Sequence, residues 1–451
     1  MKRLRHHFGS LEDKREQKRS KTVPLGNLRE DVMYYTTIQM GTPPQYIDVQ
    51  LDTGSSDLWV YTTECPTCKP TSPLPTNDGT AQYFNKTRTS TLLITTTPVN
   101  ITYGGGDAVA GVLATETVAL GGISVPDQTF IYVNSQQGTK GGPGLMGLGW
   151  TANTVTNATP WWLNAIDQFE APEFSFLFAQ SNGTNNGNPS AGGQFTIGGR
   201  NQSVYTGDLS FVPTVSEKYW DVPFSQIVVS PSLTLPIVNS TVNVIDSGTT
   251  LLYGPPADVE AFYGGVEGAV KGELVSNTSL GGMWLIPCNT AVNAEFVFGN
   301  ASVTWPAAAV HMPATAAWIY NNVPGGLNTT YCVGGLATPN FSSTAISFWV
   351  FGDAFLKGVY TIFRKGTDGE HPSIGFAKLK GVDYTGNGSL ILGYNGNGVD
   401  GTIGRTGPNA VVIDGRANST DETSESTAGS EQPPPSDSTE NGGASNPTTP
   451  M

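Results

Sequence analysis

Short apolar runs separated by turn-forming residues make up most of the chain. Residues 46–51 and Val242–Ile245 are strand-like runs, and each leads directly into an Asp-Thr/Ser-Gly triplet. The sequence contains 55 Gly and 31 Pro, with abundant Thr and Val, which favours short strands and turns over long helices. Residues 160–169 and 255–270 are the best helix candidates, and we expect both on the surface. The pattern predicts a mainly β protein.

The two triplets belong to a longer repeat. Residues 51–56 (LDTGSS) and 245–250 (IDSGTT) share one pattern, and an apolar-Gly segment follows each of them, LMGL at 145–148 and VFGD at 350–353. A single Asp-Thr/Ser-Gly triplet is usually just a turn. Repetition of the whole unit instead indicates two similar halves. Asp52 and Asp246, which occupy matching loops, are therefore predicted to form one shared site.

These motifs resemble those of the pepsin-like aspartic endopeptidases, in particular the fungal secreted and cell-surface type. Residues 32–60 resemble the first catalytic strand region of that family, residues 101–104 (ITYG) its flap hairpin, and residues 348–363 its closing strand and helix. The resemblance covers residues 34 to 380. It implies a mainly β, bilobal fold with pseudo-twofold symmetry and an active cleft between the lobes.

The resemblance also implies a domain organisation. We expect a basic prosegment remnant in residues 1–30 and an N-terminal lobe with the first catalytic Asp and the flap in residues 31–200. Residues 201–385 are expected to form the C-terminal lobe with the second catalytic Asp. Residues 386–451 are then an extension and a disordered tail, because Ser, Thr, Glu, Pro and Gly dominate the sequence after residue 418.

Two carboxyl groups in contact have a defined chemistry. They cannot both ionise cheaply, so Asp52 and Asp246 are expected to hold one proton between them. The ionised carboxylate draws a proton from a bound water, which attacks the scissile carbonyl, and the protonated carboxyl donates to the developing oxyanion. The assignment of these two roles stays open. This reaction needs no metal, no other cofactor and no covalent intermediate.

The residues that follow each Asp are predicted to support it. The glycines let the backbone approach and offer N–H groups to the carboxylates. The Thr or Ser directly after each Asp is expected to join the two loops by hydrogen bonds, and the residue after each glycine to bond the outer carboxylate oxygen. These dyad-support residues are Thr53, Gly54, Ser55, Ser247, Gly248 and Thr249.

By resemblance, Tyr103 and Gly104 belong to a flap that closes over the substrate, and the Tyr103 hydroxyl meets the indole N–H of Trp59. Both aromatic residues have an alternative reading as ordinary core residues. Alternation along the strand puts Gln50 on the same side as Asp52, so Gln50 is expected to add a polar atom to a wall of the S1 pocket.

The flap departs from the family at its tip. Gly104 is followed by Gly105, Gly106 and Asp107, so the side-chain donor that many relatives carry at the position of Gly105 is absent. Contact with the substrate then weakens or passes to Asp107. We therefore expect a fairly broad endopeptidase that prefers large apolar residues beside the cleaved bond.

Four cysteines allow three pairings. Cys65 and Cys68 lie in the predicted N-terminal lobe and Cys288 and Cys332 in the C-terminal lobe, and the resemblance implies one disulfide in each. The CPTC motif at residues 65–68 also has redox and zinc readings. No second CxxC and no nearby His complete a zinc site, and the motif precedes a Pro-rich loop and not a helix N-terminus.

Charge limits the partners. The formal net charge is −14 with 13% charged residues, which makes nucleic-acid binding unfavourable. Residues 1–19 are basic, and the Lys-Arg pairs at 14–15 and 18–19 resemble dibasic processing sites. Besides a prosegment, this segment can be interpreted as a solvated arm or a nuclear-import signal. We expect a monomer that acts on protein or peptide substrates, without a transmembrane segment, because no uncharged apolar run reaches about 18 residues.

The density of N-glycosylation triplets favours a secreted or cell-surface glycoprotein, with the cell wall included. No apolar signal-peptide region follows Met1, so either the true start lies upstream or the protein is not secreted. Two other classes remain open, a catalytically inactive protease-like binding protein and a structural cell-wall glycoprotein. The triplets begin at Asn85, Asn100, Asn157, Asn182, Asn201, Asn239, Asn277, Asn300, Asn328, Asn340, Asn387 and Asn418.

Overall fold

The computed structural model describes most of the chain. The predicted tail after residue 418 and residues 1–17 of the basic segment lie outside the described residues. The described residues are 18–68, 83–138, 142–181, 190–229, 233–238, 240, 242–276, 280–290, 292–312, 319–339, 347–367, 369–384 and 413–414.

Strands form most of the regular structure, as the sequence predicts. The first thirteen are β1 (Lys21–Leu28), β2 (Met33–Met40), β3 (Gln45–Asp52), β4 (Leu58–Tyr61), β5 (Leu93–Thr102), β6 (Ala108–Leu120), β7 (Ile123–Gln137), β8 (Gly144–Gly147), β9 (Glu173–Phe178), β10 (Ser190–Ile197), β11 (Tyr205–Pro213), β12 (Phe224–Val229) and β13 (Leu233–Pro236).

The strands of the second half are shorter. They are β14 (Val242–Ile245), β15 (Leu252–Tyr253), β16 (Val270–Lys271), β17 (Trp284–Pro287), β18 (Ala294–Phe298), β19 (Ala301–Trp305), β20 (Ile319–Tyr320), β21 (Tyr331–Val333), β22 (Leu336–Ala337), β23 (Phe348–Phe351), β24 (Tyr360–Arg364), β25 (Ser373–Leu379) and β26 (Ile413–Asp414).

Helices are few in the described part of the chain. They are α1 (Trp161–Asn164), α2 (Pro256–Gly264) and α3 (Asp353–Leu356), with 3-10 turns at Lys86–Arg88, Thr151–Asn153, Ile166–Gln168, Gly272–Leu274 and Ala307–Ala309.

A large sheet combines strands from both halves of the chain. Its order is β11-β25-β24-β9-β10-β1-β2-β3-β8-β4-β7-β6-β5, and β26 pairs with β1. Three four-stranded sheets follow, β13-β12-β18-β19, β14-β23-β15-β22 and β16-β17-β21-β20. The shared sheet connects the two predicted lobes, because β9 and β10 from the first lobe lie beside β24 and β25 from the second.

The pseudo-twofold relation is visible in the strands around each Asp. In the first half, β3 runs parallel to β8, and β4 pairs antiparallel with β8. In the second half, β14 runs parallel to β23, and β15 pairs antiparallel with β23. Each repeated hexapeptide thus lies at the end of the first strand of the same three-strand unit. The apolar-Gly segments noted in the sequence belong to the middle strand of each unit.

Aromatic residues fill the core beneath the shared sheet. Trp220 is fully buried and contacts Trp150, Trp162, Phe174 and Phe363, with ring centroids 4.7 to 5.8 Å apart. Full burial of one such side chain contributes roughly 1.5–3 kcal/mol. Because these rings come from both halves of the chain, the cluster holds the halves together.

The two helix candidates were partly wrong. Residues 160–169 form α1 and a 3-10 turn, but Trp161 and Trp162 are buried and not on the surface. Their indole N–H groups donate to the carbonyls of Val118 and Gly149 at 3.0 and 2.8 Å. The second candidate is shorter than expected, because α2 ends at Gly264, where a second glycine follows.

The predicted prosegment of residues 1–30 overlaps strand β1. Val23 and Leu25 are buried, and β1 pairs with both β10 and β2. The Arg19 backbone N–H also donates to the Gln168 carbonyl at 2.8 Å. The hypothesis of a removable basic segment therefore applies to the residues that precede these contacts.

Both predicted disulfides are present. Cys65 pairs with Cys68, and Cys288 pairs with Cys332. The second bond joins the residue after β17 to β21 and closes a loop with a sequence separation of 44 residues. In the chain-entropy picture a loop of this length contributes roughly 4 kcal/mol to stability. Across the described residues, we find no helix with the length and apolar character needed to cross a membrane.

Candidate active site

The two predicted Asp residues meet at the ends of matching strands. Asp52 is the last residue of β3, and Asp246 follows β14 directly. The middle strand of each unit fixes the loop, because Leu148 N–H donates to the Asp52 carbonyl at 2.7 Å and Asp246 N–H donates to the Phe351 carbonyl at 3.0 Å. Each carboxyl group is thus carried by a rigid strand end.

The two loops approach closely at their glycines. A Cβ atom on Gly54 would lie 2.5 Å from Cγ of Asp246, and one on Gly248 would overlap the carboxyl group of Asp52. Any residue larger than glycine would force the loops apart. The structure thus brings the Asp52 and Asp246 carboxyl groups close together, each against the glycine of the opposite loop.

Each carboxyl group receives the same two hydrogen bonds from its own loop. The N–H groups of Gly54 and Gly248 donate to Oδ1 of the preceding Asp, both at 2.8 Å. The Ser55 hydroxyl donates to Oδ2 of Asp52 at 2.5 Å, and the Thr249 hydroxyl donates to Oδ2 of Asp246 at 2.7 Å. These bonds orient both carboxyl groups symmetrically.

Thr53 and Ser247 join the two loops beneath the carboxyl groups. The Thr53 hydroxyl donates to the Ile245 carbonyl at 2.8 Å and accepts from Ser247 N–H at 2.9 Å. The Ser247 hydroxyl donates to the Leu51 carbonyl at 2.7 Å and accepts from Thr53 N–H at 3.1 Å. Both side chains are buried. Four buried hydrogen bonds therefore fix the separation of the two strand ends.

Burial and mutual repulsion dominate the electrostatics of the site. Burial raises the pKa of Asp52, the nearby Asp246 carboxylate raises it further, and hydrogen bonds from Ser55 and Gly54 partly lower it. A raised pKa means that ionising both groups together is unfavourable. A carboxyl group that resists ionisation beside a second one can act as a proton donor in general acid-base chemistry.

The flap hairpin contacts Trp59 in strand β4, which follows the Asp52 loop. The Trp59 indole N–H donates to the Tyr103 hydroxyl at 2.7 Å. The turn at the tip is closed by Tyr103 N–H, which donates to the Asp107 carbonyl at 2.8 Å. Burial, together with the charge of Asp52, raises the pKa of Tyr103. Tyr103 is thus held in place by Trp59, and Gly104 beside it is exposed.

Gln50 contacts the loop that carries Asp246. It is buried, and its side-chain N–H donates to the Gly248 carbonyl at 3.2 Å. This bond adds another link between the loops. The role of Gln50 in the S1 pocket stays a prediction, and the structure adds a contact that the strand pattern did not indicate.

Sequence reasoning missed several residues around the first loop. Asp57 accepts hydrogen bonds from Val155 N–H at 2.7 Å and from the Thr156 hydroxyl at 2.5 Å. Asn153 from the same segment donates to the Gly54 carbonyl at 3.3 Å. These contacts hold the segment after β8 against the Asp52 loop. The position of Asp57, one residue after the hexapeptide, was the available signal.

A buried ion pair between Lys357 and Asp31 lies among the elements that contact the second loop. Lys357 Nζ lies 3.3 Å from Oδ2 of Asp31, and both side chains are buried. Asp353, one helical turn before Lys357, donates its N–H to the Thr249 carbonyl at 2.7 Å. The Thr250 hydroxyl donates to the Val32 carbonyl at 2.7 Å. The turn between β1 and β2 and helix α3 thus support the Asp246 loop together.

The fold and site together define a class of protein, a bilobal peptidase with two facing Asp loops beneath a flap. Comparison with known families agrees. Residues 33–379 match the family described as eukaryotic aspartyl protease, and the chain belongs to that family.

Characterised relatives cover most of the chain. Major aspartyl peptidase 1 of Cryptococcus neoformans var. grubii is 33% identical over 377 residues, which are 80% of this chain and 71% of that protein. Aspartic protease of Phaffia rhodozyma is 29% identical over 339 residues, 74% of each chain. Pepsin A of Sus scrofa is 28% identical over 347 residues, 76% of this chain and 81% of that protein.

The protein is therefore an aspartic endopeptidase that acts on protein substrates, and nothing in the site favours an inactive relative. Its two disulfides are typical of proteins that fold in oxidising compartments. This indicates an extracellular protein.

Proposed function

We propose that Asp52 and Asp246 form the catalytic dyad of this endopeptidase. The single observation that carries the proposal is the close approach of two loops whose Asp carboxyl groups receive matching hydrogen bonds. The ionised carboxylate takes a proton from a bound water, which attacks the scissile carbonyl, and the other carboxyl donates a proton to the oxyanion. The shared proton belongs to the pair, so neither Asp has a fixed role.

The surrounding residues hold the two carboxyl groups in place. The Thr53 and Ser247 bonds keep the two carboxyl groups in contact, and the loop N–H groups and hydroxyls keep their planes fixed. Preorganised groups of this kind lower the cost of reorganisation during the reaction. Tyr103, bonded to Trp59, closes over the bound peptide, and Gln50 lines the S1 pocket beside its bond to Gly248.

Specificity follows from the flap tip. A Cβ atom on Gly105 or Gly106 would meet nothing within 4 Å, so the tip presents backbone and open space. Backbone contacts discriminate little between substrate side chains, because every residue of a peptide offers the same N–H and C=O groups. The enzyme is a broad endopeptidase with a preference for large apolar residues beside the cleaved bond.

The proposal extends to location and maturation. The enzyme is a secreted, cell-surface or cell-wall protein that works as a monomer and does not bind nucleic acid, since its formal net charge is −14. The basic residues that precede β1 act as an inhibitory prosegment. Their cations pair with cleft carboxylates near neutral pH, and this pairing weakens as the carboxylates protonate in acid.

Replacement of either dyad residue tests the catalytic proposal. Asp52→Asn and Asp246→Asn keep the shape of the side chain but prevent proton sharing, so each variant is expected to lose nearly all peptidase activity. The double variant is expected to be little worse, because residues that act as a unit are not additive. Activity is measured as acid-dependent cleavage of denatured haemoglobin or casein, with and without pepstatin.

The matched control is Asp208→Asn, the same chemical change on an exposed residue of β11. It is expected to retain full activity. Substantial pepstatin-sensitive cleavage by a folded Asp52→Asn or Asp246→Asn enzyme would refute the dyad. If the Asp208→Asn control also loses activity, the loss in the other variants reflects protein preparation and not the site.

A further inference from the structure

The outer strand of the flap hairpin is an edge of the large sheet. Strand β5 pairs with β6 through residues from Leu93 to Thr102, and it pairs with no other strand in the described part of the chain. An edge strand presents unpaired backbone N–H and C=O groups along its free side. Such an edge is a template for pairing with a strand of another molecule.

The composition of β5 increases this hazard. Its sequence, LITTTPVNIT, contains no charged residue, and most of its residues are β-branched or apolar. Leu93 and Ile94 are 65% and 42% exposed. Uncharged segments of high β-propensity at an exposed edge are the ones that pair between molecules. The flap hairpin thus has an outer edge that is able to pair with a strand of another molecule.

Part of strand β5 contains features that hinder pairing with another strand. The register with β6 shifts between Ile94 and Pro98, and the Thr95 hydroxyl donates to the Leu113 carbonyl at 2.9 Å inside this irregular stretch. Pro98 has no N–H to offer to a partner strand. Bulges and prolines are known protective devices at sheet edges. Residues 99–102, next to the flap tip, contain neither device.

Asn100 lies in this unprotected stretch and opens an Asn-Ile-Thr triplet. Side chains alternate between the two faces of a strand. Val99 and Ile101 pack against the cluster around Trp59, whereas Asn100 and Thr102 are exposed on the opposite face. The acceptor amide of Asn100 therefore points to solvent, and a group attached to it would meet no part of the hydrophobic cluster.

We propose that Asn100 carries an N-linked glycan that shields the edge of β5 from pairing with a second copy of this chain. The inference rests on the extracellular location proposed above. A polyprenyl-pyrophosphate-linked oligosaccharide is the donor. Its bond between sugar C1 and the pyrophosphate oxygen breaks, C1 bonds to Nδ2 of Asn100, the amide loses one proton, and the polyprenyl pyrophosphate leaves.

The shield works by excluded volume. A partner strand must approach to about 4.8 Å from β5 to pair with it. A hydrated oligosaccharide on the adjacent exposed face occupies the space that the partner strand and its side chains need. The position also spares the cleft side of the hairpin, because Ile101 and Val99 face the buried cluster and Asn100 faces away from it.

Glycan mapping tests occupancy. The full chain is secreted from a eukaryotic host, its N-glycans are removed enzymatically in ¹⁸O water, and peptides are identified by mass spectrometry. We expect ¹⁸O-labelled aspartate at position 100. The exposed triplet at Asn328 is the internal reference. A glycan at Asn328 with unmodified Asn100 refutes this inference and leaves the location intact, whereas no glycan at either position refutes both.

Three variants test the shielding. Asn100→Gln removes the glycan and leaves the edge neutral, Asn100→Lys removes the glycan and adds an edge charge, and Thr102→Ser keeps the acceptor triplet. Thermal unfolding first verifies that each is folded. Loss of monomer is then followed by size-exclusion chromatography with light scattering, in the presence of pepstatin to prevent self-digestion.

We expect Asn100→Gln to lose monomer several-fold faster than the wild type, and the other two variants to behave as the wild type. Equal monomer lifetimes for Asn100→Gln and the wild type would overturn the shielding. Aggregation of Asn100→Lys as fast as that of Asn100→Gln would also overturn it, because a charge would then fail to protect an edge that is supposed to act by strand pairing.

Discussion

Asp353 makes the folded protein sensitive to rising pH. Its carboxyl group is fully buried, and neither oxygen has a hydrogen-bond partner among the described residues. Burial raises its pKa well above the ordinary value, the charges of Asp246 and Asp31 raise it further, and Lys357 opposes them. Since Lys357 is already bonded to Asp31, Asp353 is most stable in its protonated form.

The sign and size of the effect follow from proton linkage. Below a pH of about 4, Asp353 is protonated in both the folded and the unfolded chain. As the pH rises, the unfolded chain loses this proton while the folded chain keeps it. The free energy of unfolding then falls with a limiting slope of about 1.4 kcal/mol per pH unit, or by about 2.4 kcal/mol between about pH 4 and 6. This loss continues until the pH reaches the folded-state pKa.

Asp353→Asn removes the titrating group. The buried amide adds a cost of about 1–3 kcal/mol that does not depend on pH. The wild-type free energy of unfolding minus that of the variant is therefore expected to fall by about 1.4 kcal/mol per unit above about pH 4. Urea unfolding is followed by tryptophan fluorescence, with Asp52→Asn in both proteins so that neither digests unfolded chains.

Asp208→Asn in the same background is the control, because this residue is exposed. Its difference from the reference protein is expected to stay constant with pH. A difference for Asp353→Asn that also stays constant from pH 4 to 6 would show that the buried carboxyl is ionised in the folded protein, and would refute the argument.

Two further predictions concern the buried ion pair and the basic segment. Lys357→Met leaves the Asp31 charge buried without its cation and is expected to cost roughly 3–5 kcal/mol of stability. The double variant, Asp31→Asn with Lys357→Met, is expected to regain most of this loss. Urea unfolding measures both, and a double variant that is no more stable than the single one contradicts the pairing. Deletion of residues 1–17, which spares the backbone contact of Arg19 with Gln168, is expected to abolish any lag in acid activation, and an unchanged lag would show that the segment is inert.

The sequence by itself indicated the proposed site because its residues stand in short, repeated segments. Asp52 and Asp246 stand in hexapeptides whose local hydrogen bonds are all made within three residues, such as Ser55 to Asp52 and Thr249 to Asp246. A strand, a tight turn and a small residue suffice to build each half of the site. The family resemblance then indicated how the two halves and the two disulfides combine.

The tertiary structure decided the contacts that join distant segments. Gln50 meets Gly248, Thr250 meets Val32, and Lys357 meets Asp31 across sequence separations of 198, 218 and 326 residues. No local pattern specifies such partners, because a hydroxyl, amide or ammonium group accepts any suitable partner that the fold brings within reach. The same holds for burial, which depends on the packing of distant strands; Trp161, predicted on the surface, therefore lies in the core.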